Sequence, residues 1–367
     1  MSTVICTLAS LAMMQPAQEP PQLPGVERVV AISGQGYFPV AIRLDDDRIA
    51  CIMRGGAPHI GIGGRLDLIF SDTSGRSWTE PVTVVDSQWD DRNPGFGQMP
   101  DGSLVLGYAE CQAYDEEQKW DPSAGAFILK VMRSADGNTW GEPRDLDHPF
   151  GSVASPYGRI VTLSDGRSIM SVYGGVTDEN RDLFSVGRQD ARDACGFLVS
   201  TDNGRTWGDF HPVARGYNET SFAEMPSGDL VAVARSDSDQ HVAVLVSDDG
   251  GRTWSEPEVI TLGSQHPADV QLLPSGELLV VYGSRLQPYG IHAVKGLPHE
   301  LRDAPHYTLT TGSRNWDQGY PSLVLLDHGA LAIYYAVGLA GGDADPMTLV
   351  ARFNPERMHG PDEEGAP

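Results

Sequence analysis

Three segments of the sequence place residues capable of acid–base or anion-binding chemistry at the ends of predicted strands. Glu219 opens a segment that ends at Arg235, Arg285 ends a strongly apolar run, and Tyr320 opens a further predicted strand. A free tyrosine has a pKa of about 10, so it acts as a nucleophile at neutral pH only beside a base such as a carboxylate. The planar guanidinium of arginine donates two parallel hydrogen bonds to a carboxylate and keeps its charge. If the fold brings these segments together, they can act on a bond next to a bound acid.

The composition limits the partners of this chain. Its 367 residues include 26 Lys and Arg against 50 Asp and Glu, which gives a formal net charge of −24. That balance argues against nucleic acid and anionic membrane surfaces, because both require clustered basic residues. An anionic ligand must therefore be bound by a few local arginines. No apolar run approaches the roughly 18 residues that a membrane-spanning helix needs. The 42 Gly and 26 Pro are scattered along the chain, which favours many short strands joined by tight turns and thus an all-β protein.

One turn sequence, S-x-D-x-G-x-T-W, occurs at residues 200–207 and again, with small variations, at 247–254. Degraded copies occupy residues 71–78, where the acid has moved to Asp72, and residues 134–140, which are one residue shorter. In such a turn the Asp carboxylate accepts backbone N–H groups, the Gly supplies a positive φ and the Trp packs against the hairpin. The repeat predicts a self-locking hairpin turn at regular positions in the fold.

A second repeat lies between these turns. Each unit reads as a strand, a tight turn and a strongly apolar strand, and an early strand at residues 26–33 is predicted to pair with residues 348–353. Six units of about this size, each with four short strands, predict a six-bladed β-propeller whose ring closure hides the strand edges. The six units are residues 37–54, 93–110, 156–174, 219–235, 266–285 and 320–335.

The repeated turn resembles the Asp-box, or BNR repeat, of the sialidase (neuraminidase) superfamily, whose members have six-bladed propellers. Residues 218–235 resemble the fourth-blade segment of that family, in which a Glu opens one strand and an Arg closes the next. Residues 317–322, leading into 333–335, resemble the sixth-blade segment that carries a nucleophilic tyrosine. Residues 281–285 resemble the segment that supplies another arginine. The resemblance extends from about Val26 to Phe353.

The resemblance implies a role for each matching residue. Tyr320 would be the nucleophile, Glu219 its base, and Arg235 and Arg285 two members of the arginine triad that binds the sugar carboxylate. A sialic acid carries its carboxylate on the anomeric carbon, so a neutral phenol avoids the repulsion that an anionic nucleophile would meet there. The implied activity is a retaining exo-glycosidase that removes a terminal sialic acid or a related acidic sugar from a glycan. It needs no cofactor and no metal.

The sequence departs from the family pattern at two places. Tyr37 stands where the first arginine of the triad is expected, and we hypothesise that Arg54, at the end of the paired strand, takes its place. The loop at residues 55–64 should carry the acid/base aspartate but contains no carboxylate. Its titratable group is His59, which can serve as a general acid near neutral pH. The alternative is a loop histidine that merely contacts ligand or solvent.

Further candidates open the inner strands of two other predicted blades. Asp91 and Arg92 precede the second blade, where the alternative is a solvated charged turn. His266 and Asp269 open the fifth blade and could bind sugar hydroxyls, whereas a buried structural histidine is the alternative at the first of them.

Two other functions remain open. A carbohydrate-binding propeller that lost its chemistry is favoured by the missing aspartate, but a lectin has no use for an activated phenol. A polysaccharide lyase would use His59 and Tyr320 as its acid/base pair and would leave Glu219 without a role. The products distinguish the three functions, because they are a free sugar, an unsaturated sugar or none.

The predicted domain organisation is a possible leader or disordered segment at residues 1–25, a propeller at 26–354 and a disordered acidic tail at 355–367. Residues 4–14 are apolar but lack the positive residues that usually precede such a run in a leader; they favour a secreted or periplasmic location. The four cysteines show no CxxC or Cys/His spacing, so the sequence predicts neither a zinc site nor a disulfide framework.

Overall fold

The computed structural model describes residues 19–338 and 346–359, which are almost entirely β-structure. Their strands form six separate sheets, four of which have four strands and two of which have five. The sheets are the blades of a propeller, which confirms the predicted six-bladed all-β fold. Helical structure within the described ranges is confined to two single turns of 3-10 helix, Arg181–Leu183 and Pro355–Arg357.

The strands of the first three blades follow one another from the centre of the ring to its edge. Blade 1 comprises β2 Tyr37–Arg43, β3 Ile49–Gly55, β4 Arg65–Ser71 and β5 Val82–Val85. Blade 2 comprises β6 Asp90–Gln98, β7 Leu104–Cys111, β8 Phe127–Ser134 and β9 Arg144–Asp145, with β11 Gly158–Arg159 added in parallel to β6. Blade 3 comprises β10 Ala154–Pro156, β12 Val161–Thr162, β13 Ser168–Gly175, β14 Asp193–Ser200 and β15 Gly208–Arg215.

The remaining blades repeat the same order, and the last one takes its outer strand from the start of the chain. Blade 4 comprises β16 Tyr217–Glu224, β17 Leu230–Ser236, β18 Val242–Ser247 and β19 Glu258–Val259. Blade 5 comprises β20 Gln265–Leu272, β21 Leu278–Ser284, β22 Gly290–Gly296 and β23 His306–Thr311. Blade 6 comprises β24 Gly319–Leu326, β25 Gly329–Val337, β26 Pro346–Phe353 and β1 Glu27–Ser33.

The ring closes as the sequence predicted. Strand β1 pairs antiparallel with β26, in a register that sets Glu27 opposite Arg352 and Ser33 opposite Met347. The first strand of the propeller thus completes the last blade, and this pairing removes one exposed strand edge.

Hydrophobic cores lie between neighbouring blades. Strands such as β3 and β21 are buried along their whole length, so they read as continuous apolar runs and not as an alternation. Val281 of blade 5, for example, packs in one cluster with Leu323 and Ala332 of blade 6. Because every blade is held by its two neighbours, the strand ends at the centre of the ring are held in fixed positions.

The Asp-box turns lie at the end of the blades opposite the predicted site, and their hydrogen bonds match the predicted chemistry. The Asp202 carboxylate accepts the backbone N–H of Thr206 at 2.8 Å and its hydroxyl at 2.7 Å. Ser200 Oγ accepts the N–H of Gly204, which has a φ of 73°. In the degraded blade 1 copy, Thr73 Oγ1 accepts the N–H of Ser77 in place of a carboxylate.

Both ends of the chain extend the propeller slightly beyond its strands. Leu23 is buried and exchanges backbone contacts with β23, and Met358 is buried between blades 5 and 6. Residues 1–18 of the predicted leader and residues 360–367 of the predicted tail lie outside the described residues. Cys51, Cys111 and Cys195 are buried free thiols, and Cys6 lies outside the described residues. Among the described residues, no helix has the length and apolar character needed to cross a bilayer, and no cluster of three His, Cys, Asp or Glu side chains could hold a metal ion.

Candidate active site

A β-bulge near the start of the inner strand recurs in five of the six blades and directs side chains to the centre of the ring. The inner strand carries one residue more than its partner at this point in blades 1, 2, 4, 5 and 6, so the pairing register shifts by one residue. In three of these bulges the first residue has a positive φ and precedes a proline: Phe38 at 52°, Asn93 at 52° and Tyr320 at 50°. Such conformations are costly for residues other than glycine and are often found at functional sites. Tyr320 therefore occupies a bulge position that recurs, with the same backbone conformation, in two other blades.

Tyr320, Glu219 and Arg235 meet at this end of the central well. The Tyr320 hydroxyl donates to Glu219 Oε1 at 2.6 Å, and Arg235 Nη1 donates to Glu219 Oε2 at 2.6 Å. Arg235 Nη1 also lies 3.3 Å from the phenol oxygen. Three residues from blades 4 and 6 thus form one hydrogen-bonded unit, which we call the Tyr320 cluster.

The electrostatics of the Tyr320 cluster keep the phenol neutral and the guanidinium charged. Burial and the Glu219 carboxylate raise the pKa of Tyr320 to about 12, although the charges of Arg235 and Arg285 act in the opposite direction. Burial lowers the pKa of Arg235, but the charges of Glu219 and Tyr320 outweigh burial and raise it overall. A phenol in this state needs a base to become a nucleophile, and the one acceptor atom that it contacts belongs to a carboxylate.

Arg285 and His266 extend the cluster towards blade 5. The Arg285 guanidinium lies 5.8 Å from the Tyr320 ring centroid and 5.4 Å from that of Trp316, whose side chain is 56% exposed. His266 is fully buried, and neither of its ring nitrogens has a partner among the described residues. Burial, together with the charges of Arg235 and Arg285, lowers the pKa of His266 to about 2. A neutral imidazole therefore lies beside two arginines.

An aromatic wall formed by Tyr37, Phe38 and Tyr335 stands on the blade 1 side of Tyr320. The Phe38 ring meets Tyr320 at 4.8 Å and Tyr335 at 5.6 Å between centroids, and Tyr37 meets Tyr335 at 5.0 Å. The guanidinium carbon of Arg92 lies 5.6 Å from the centroid of the Phe38 ring. Where the family pattern places its first arginine, this chain presents aromatic rings, and Arg92 of blade 2 contacts one of them.

His59 lies against the aromatic wall and pairs with an acid from blade 6. Its Nδ1 is 2.7 Å from Asp317 Oδ1, and its ring contacts Phe38 edge-on at 4.9 Å. The same Asp317 oxygen accepts the Tyr335 hydroxyl at 2.5 Å. The loop of residues 55–64 contains no carboxylate of its own, but the fold places the Asp317 carboxylate beside its histidine.

The well is closed beneath the Tyr320 cluster. A small cavity lined by Phe38, Tyr157, Tyr173 and Glu219, among others, leaves only about 20 Å³ for the centres of water molecules. That space admits about one water and no sugar. A ligand therefore reaches the cluster only from the mouth, the end of the well where His59, Arg285 and Trp316 retain exposure.

Arg54 does not occupy the position expected of a substitute for the first triad arginine. Its side chain is fully buried and donates to Asp90 Oδ1 from Nε at 2.8 Å and from Nη2 at 2.6 Å. Its remaining bonds go to the carbonyl groups of Ala57, Pro58 and Gly61. The sequence correctly put Arg54 at a strand end, but the Asp90 carboxylate draws the guanidinium beneath the loop and away from the mouth.

Asp91 and Asp269 also have structural partners that replace the predicted ligand contacts. Asp91 accepts the backbone N–H and the hydroxyl of Ser87, so it fixes the turn before β6. Asp269 accepts hydrogen bonds from Arg159 of blade 2, from Ser221 of blade 4 and from the N–H of Leu323 of blade 6. The Asp269 carboxylate joins these blades across the axis and has no oxygen left for a sugar.

Two features of the site were missed from the sequence. Asp317 lies in the segment that carries Tyr320, whereas the family pattern places the acid/base aspartate in the loop of residues 55–64. Phe38 directly follows Tyr37, which stands at the position expected of the first triad arginine. The sequence does mark such inner-strand positions, because a proline follows each of them near the start of a predicted strand. The residues that precede these prolines are Phe38, Asn93, His266 and Tyr320.

The comparisons with known proteins concern the fold as a whole. The sequence profile of the BNR repeat-like domain matches residues 53–333, about three quarters of the chain. No curated protein matches the chain in sequence. Among solved structures, a protein of unknown function from Dyadobacter fermentans is similar, with a TM-score of 0.75 and 24% identity over 90% of this chain and 100% of that one.

Two sialidases show the same arrangement of blades at lower identity. The Hadza microbial sialidase Hz136 has a TM-score of 0.68 and 18% identity over 89% of this chain and 66% of that one. The intramolecular trans-sialidase from Ruminococcus gnavus has a TM-score of 0.65 and 14% identity over 88% and 95% of the two chains. These likenesses confirm the resemblance to the sialidase fold. Given the extent of the profile match, the chain belongs to the BNR repeat-like domain family.

Proposed function

We propose that the protein is an exo-glycosidase that releases a terminal sialic acid or a related acidic sugar from a glycan, with retention of configuration. The observation that carries this proposal is the Tyr320 cluster, in which a neutral phenol donates to a carboxylate at 2.6 Å beside two arginines. A binding protein gains nothing from such a pair, whereas a nucleophile that must approach an anomeric carbon bearing a carboxylate requires it.

In the first step, Tyr320 Oη forms a bond to the anomeric carbon while the phenolic proton passes to Glu219. The glycosidic bond breaks, and the leaving oxygen takes a proton from His59. In the second step, water attacks the same carbon and gives its proton to His59. Tyr320 leaves and recovers its own proton from Glu219. Protons and electrons balance over the two steps, and neither step draws on a metal or an added cofactor.

The arginines bind and orient the sugar carboxylate in this proposal. Arg285 has an Nε without a partner among the described residues and lies between Trp316 and Tyr320, so it is available to a ligand entering from the mouth. Arg235 is shared between Glu219 and the ligand. The Arg92 guanidinium supplies positive charge beside the Phe38 ring. His266 offers an uncharged ring nitrogen to a sugar hydroxyl. The ring of Tyr37 contributes to the aromatic wall next to these groups. The closed floor supports exo cleavage, because a chain cannot thread through the well.

The test is hydrolysis of a panel of fluorogenic glycosides of acidic sugars, sialosides first, by the wild type and by Tyr320→Phe. We expect the wild type to release one acidic sugar and Tyr320→Phe to lose at least about 10³-fold in kcat, since the covalent route is removed. Tyr334→Phe is the matched control. It removes a phenol from the neighbouring strand, where the hydroxyl contacts Thr310 in a core, and it should leave kcat unchanged. A wild type that is inactive on every acidic glycoside would overturn the proposal.

The His59–Asp317 pair supports one second candidate, β-elimination at a uronate by a polysaccharide lyase. There the histidine would act as the base and Tyr320 as the acid. The same panel, extended to polyuronate substrates and followed by ultraviolet absorbance, distinguishes this reaction through the new double bond in its product.

A further inference from the structure

The pair formed by His59 and Asp317 joins two loops that are far apart in sequence and adjacent at the mouth. Their side chains are 28% and 17% exposed, so both remain accessible to a ligand while being largely enclosed. The contact of 2.7 Å between Nδ1 and Oδ1 is that of a strong, charge-assisted hydrogen bond. The Tyr37 and Phe38 rings border the imidazole on the blade 1 side.

The backbone that carries His59 is held from below by Arg54. The guanidinium donates to the carbonyl groups of Ala57 and Pro58, which precede the histidine, and of Gly61, which follows it. Asp90 neutralises Arg54 and also accepts the Tyr114 hydroxyl at 2.7 Å. The loop is therefore fixed to the buried part of blades 1 and 2, and the imidazole is held in place over the mouth.

Asp317 is held in its ionised form. Burial raises the pKa of its carboxyl group, but hydrogen bonds from His59 and Tyr335 and the charge of Arg285 outweigh burial and lower it overall. An ionised carboxylate accepts hydrogen bonds and cannot donate one. His59 must therefore carry a proton on Nδ1, and its Nε2 is the nitrogen that alternates between the free and the protonated state.

We propose that Asp317 is a positioning residue that makes His59 Nε2 the acid and base for the leaving-group side of the reaction. This inference rests on the proposed function. In the first step Nε2–H gives its proton to the departing glycosidic oxygen, and in the second step the free Nε2 takes a proton from the attacking water. Nδ1–H stays with Asp317 throughout. An acid from blade 6, acting through a histidine of blade 1, thus takes over the task of the aspartate that the 55–64 loop lacks.

The first experiment tests the proton position without any enzymatic assay. Long-range ¹H–¹⁵N NMR correlations of the His59 ring should show a protonated Nδ1 in the neutral imidazole of the wild-type protein. The Asp317→Asn variant should lose this preference, because its amide can present a donor to Nδ1. The matched control is Asp327→Asn, which makes the same substitution at the opposite end of blade 6, where the carboxylate contacts only Arg43 at the surface. A wild-type ring protonated on Nε2 would overturn the inference.

The second experiment shows whether Asp317 acts through His59. With the fluorogenic sialoside 4-methylumbelliferyl α-N-acetylneuraminate, or the acidic glycoside that the panel identifies, Asp317→Asn should lower kcat by about 10²-fold or more. The loss should add little to that of His59→Gln in the double variant, since the two residues form one unit. Losses in kcat that multiply in the double variant would overturn the inference. A wild type without activity contradicts the proposed function, whereas the NMR result decides the position of the proton by itself.

Discussion

The Asp-box turns and the mouth of the well lie at opposite ends of the same blades and are built by different kinds of contact. In the turn at residues 200–207, Asp202 and Thr206 are four positions apart in sequence. At the mouth, Tyr320 and Glu219 are 101 positions apart, and His59 and Asp317 are 258 apart. The turns form from local sequence and support stability, whereas the mouth exists only when the ring is closed. Variants at one end should therefore change stability, and variants at the other should change activity.

The largest expected effect is at Glu219. Glu219→Gln keeps one amide oxygen that can accept from Tyr320 or from Arg235 but removes the base, so we expect kcat/KM to fall by about 10²–10⁴-fold. The measurement is steady-state hydrolysis of the acidic glycoside that the wild type cleaves, beside a thermal melt of each protein.

The control for this variant lies on the same strand. Glu224 ends β16 at the Asp-box side, where its carboxylate accepts the N–H and the hydroxyl of Ser164 at 2.7 Å each. Glu224→Gln should lower Tm slightly and leave kcat/KM unchanged. If Glu224→Gln lowered activity as much as Glu219→Gln, the expectation that only the mouth end of the blade determines activity would be wrong.

Arg54 should affect both stability and activity, because it forms a buried ion pair and also holds the loop that carries His59. Arg54→Met removes one partner of a buried ion pair and leaves Asp90 with the weaker pair from Arg92 at 3.2 Å. We expect a loss of about 3–5 kcal/mol in the free energy of unfolding. Denaturant unfolding measures it. Activity should fall as well, since three carbonyl contacts of the loop are lost.

Arg43→Met provides the matched comparison within blade 1. Arg43 pairs with Asp47 and Asp327 at the surface, and those two acids are mostly exposed. Loss of an exposed pair of this kind costs about 0–1 kcal/mol. Equal destabilisation by the two variants would show that the buried Arg54–Asp90 pair contributes no more to stability than the exposed pairs of Arg43.

The difference between the two ends also explains how far the sequence could be interpreted. An eight-residue turn contains the partners of its own Ser200 and Asp202, so residues 200–207 reveal these hydrogen bonds without the rest of the chain. The repeat of such turns and strands was sufficient for the six blades and their closure. The Tyr320 cluster was reached through resemblance to a family, because no local pattern links Glu219 to Tyr320.

The errors at the mouth have a physical cause. Arg54 and Asp269 were placed on strand segments near the axis, but a strand alternates its faces and a bulge shifts that alternation. Which acid would neutralise Arg54, and which blades Asp269 would join, depends on packing between strands that are distant in sequence. Asp317 was overlooked for the same reason, since its partner His59 belongs to the other end of the chain.

A smaller effect than that of Arg54→Met is expected at the Asp-box of blade 4. Hydrogen bonds from Thr253 and from the N–H of Arg252 lower the pKa of Asp249 well below its usual range. Asp249→Ala removes these bonds at an exposed site, where water competes for them, so we expect a loss of about 1 kcal/mol at neutral pH with activity unchanged. Urea unfolding at a series of pH values measures this difference.

The pH dependence of that difference identifies the carboxylate as its source. Because the folded pKa of Asp249 lies below the unfolded value of about 3.9, the stabilisation is complete above that value and is lost as the pH falls towards the folded pKa. The wild type should therefore exceed Asp249→Ala by a constant amount between neutral pH and mildly acidic pH, and the gap should narrow below about pH 4. Thr73→Ala removes the equivalent contact in blade 1, where a hydroxyl replaces the carboxylate. Its effect should not depend on pH, and a gap of the same shape in both variants would mean that the titration arises elsewhere in the propeller.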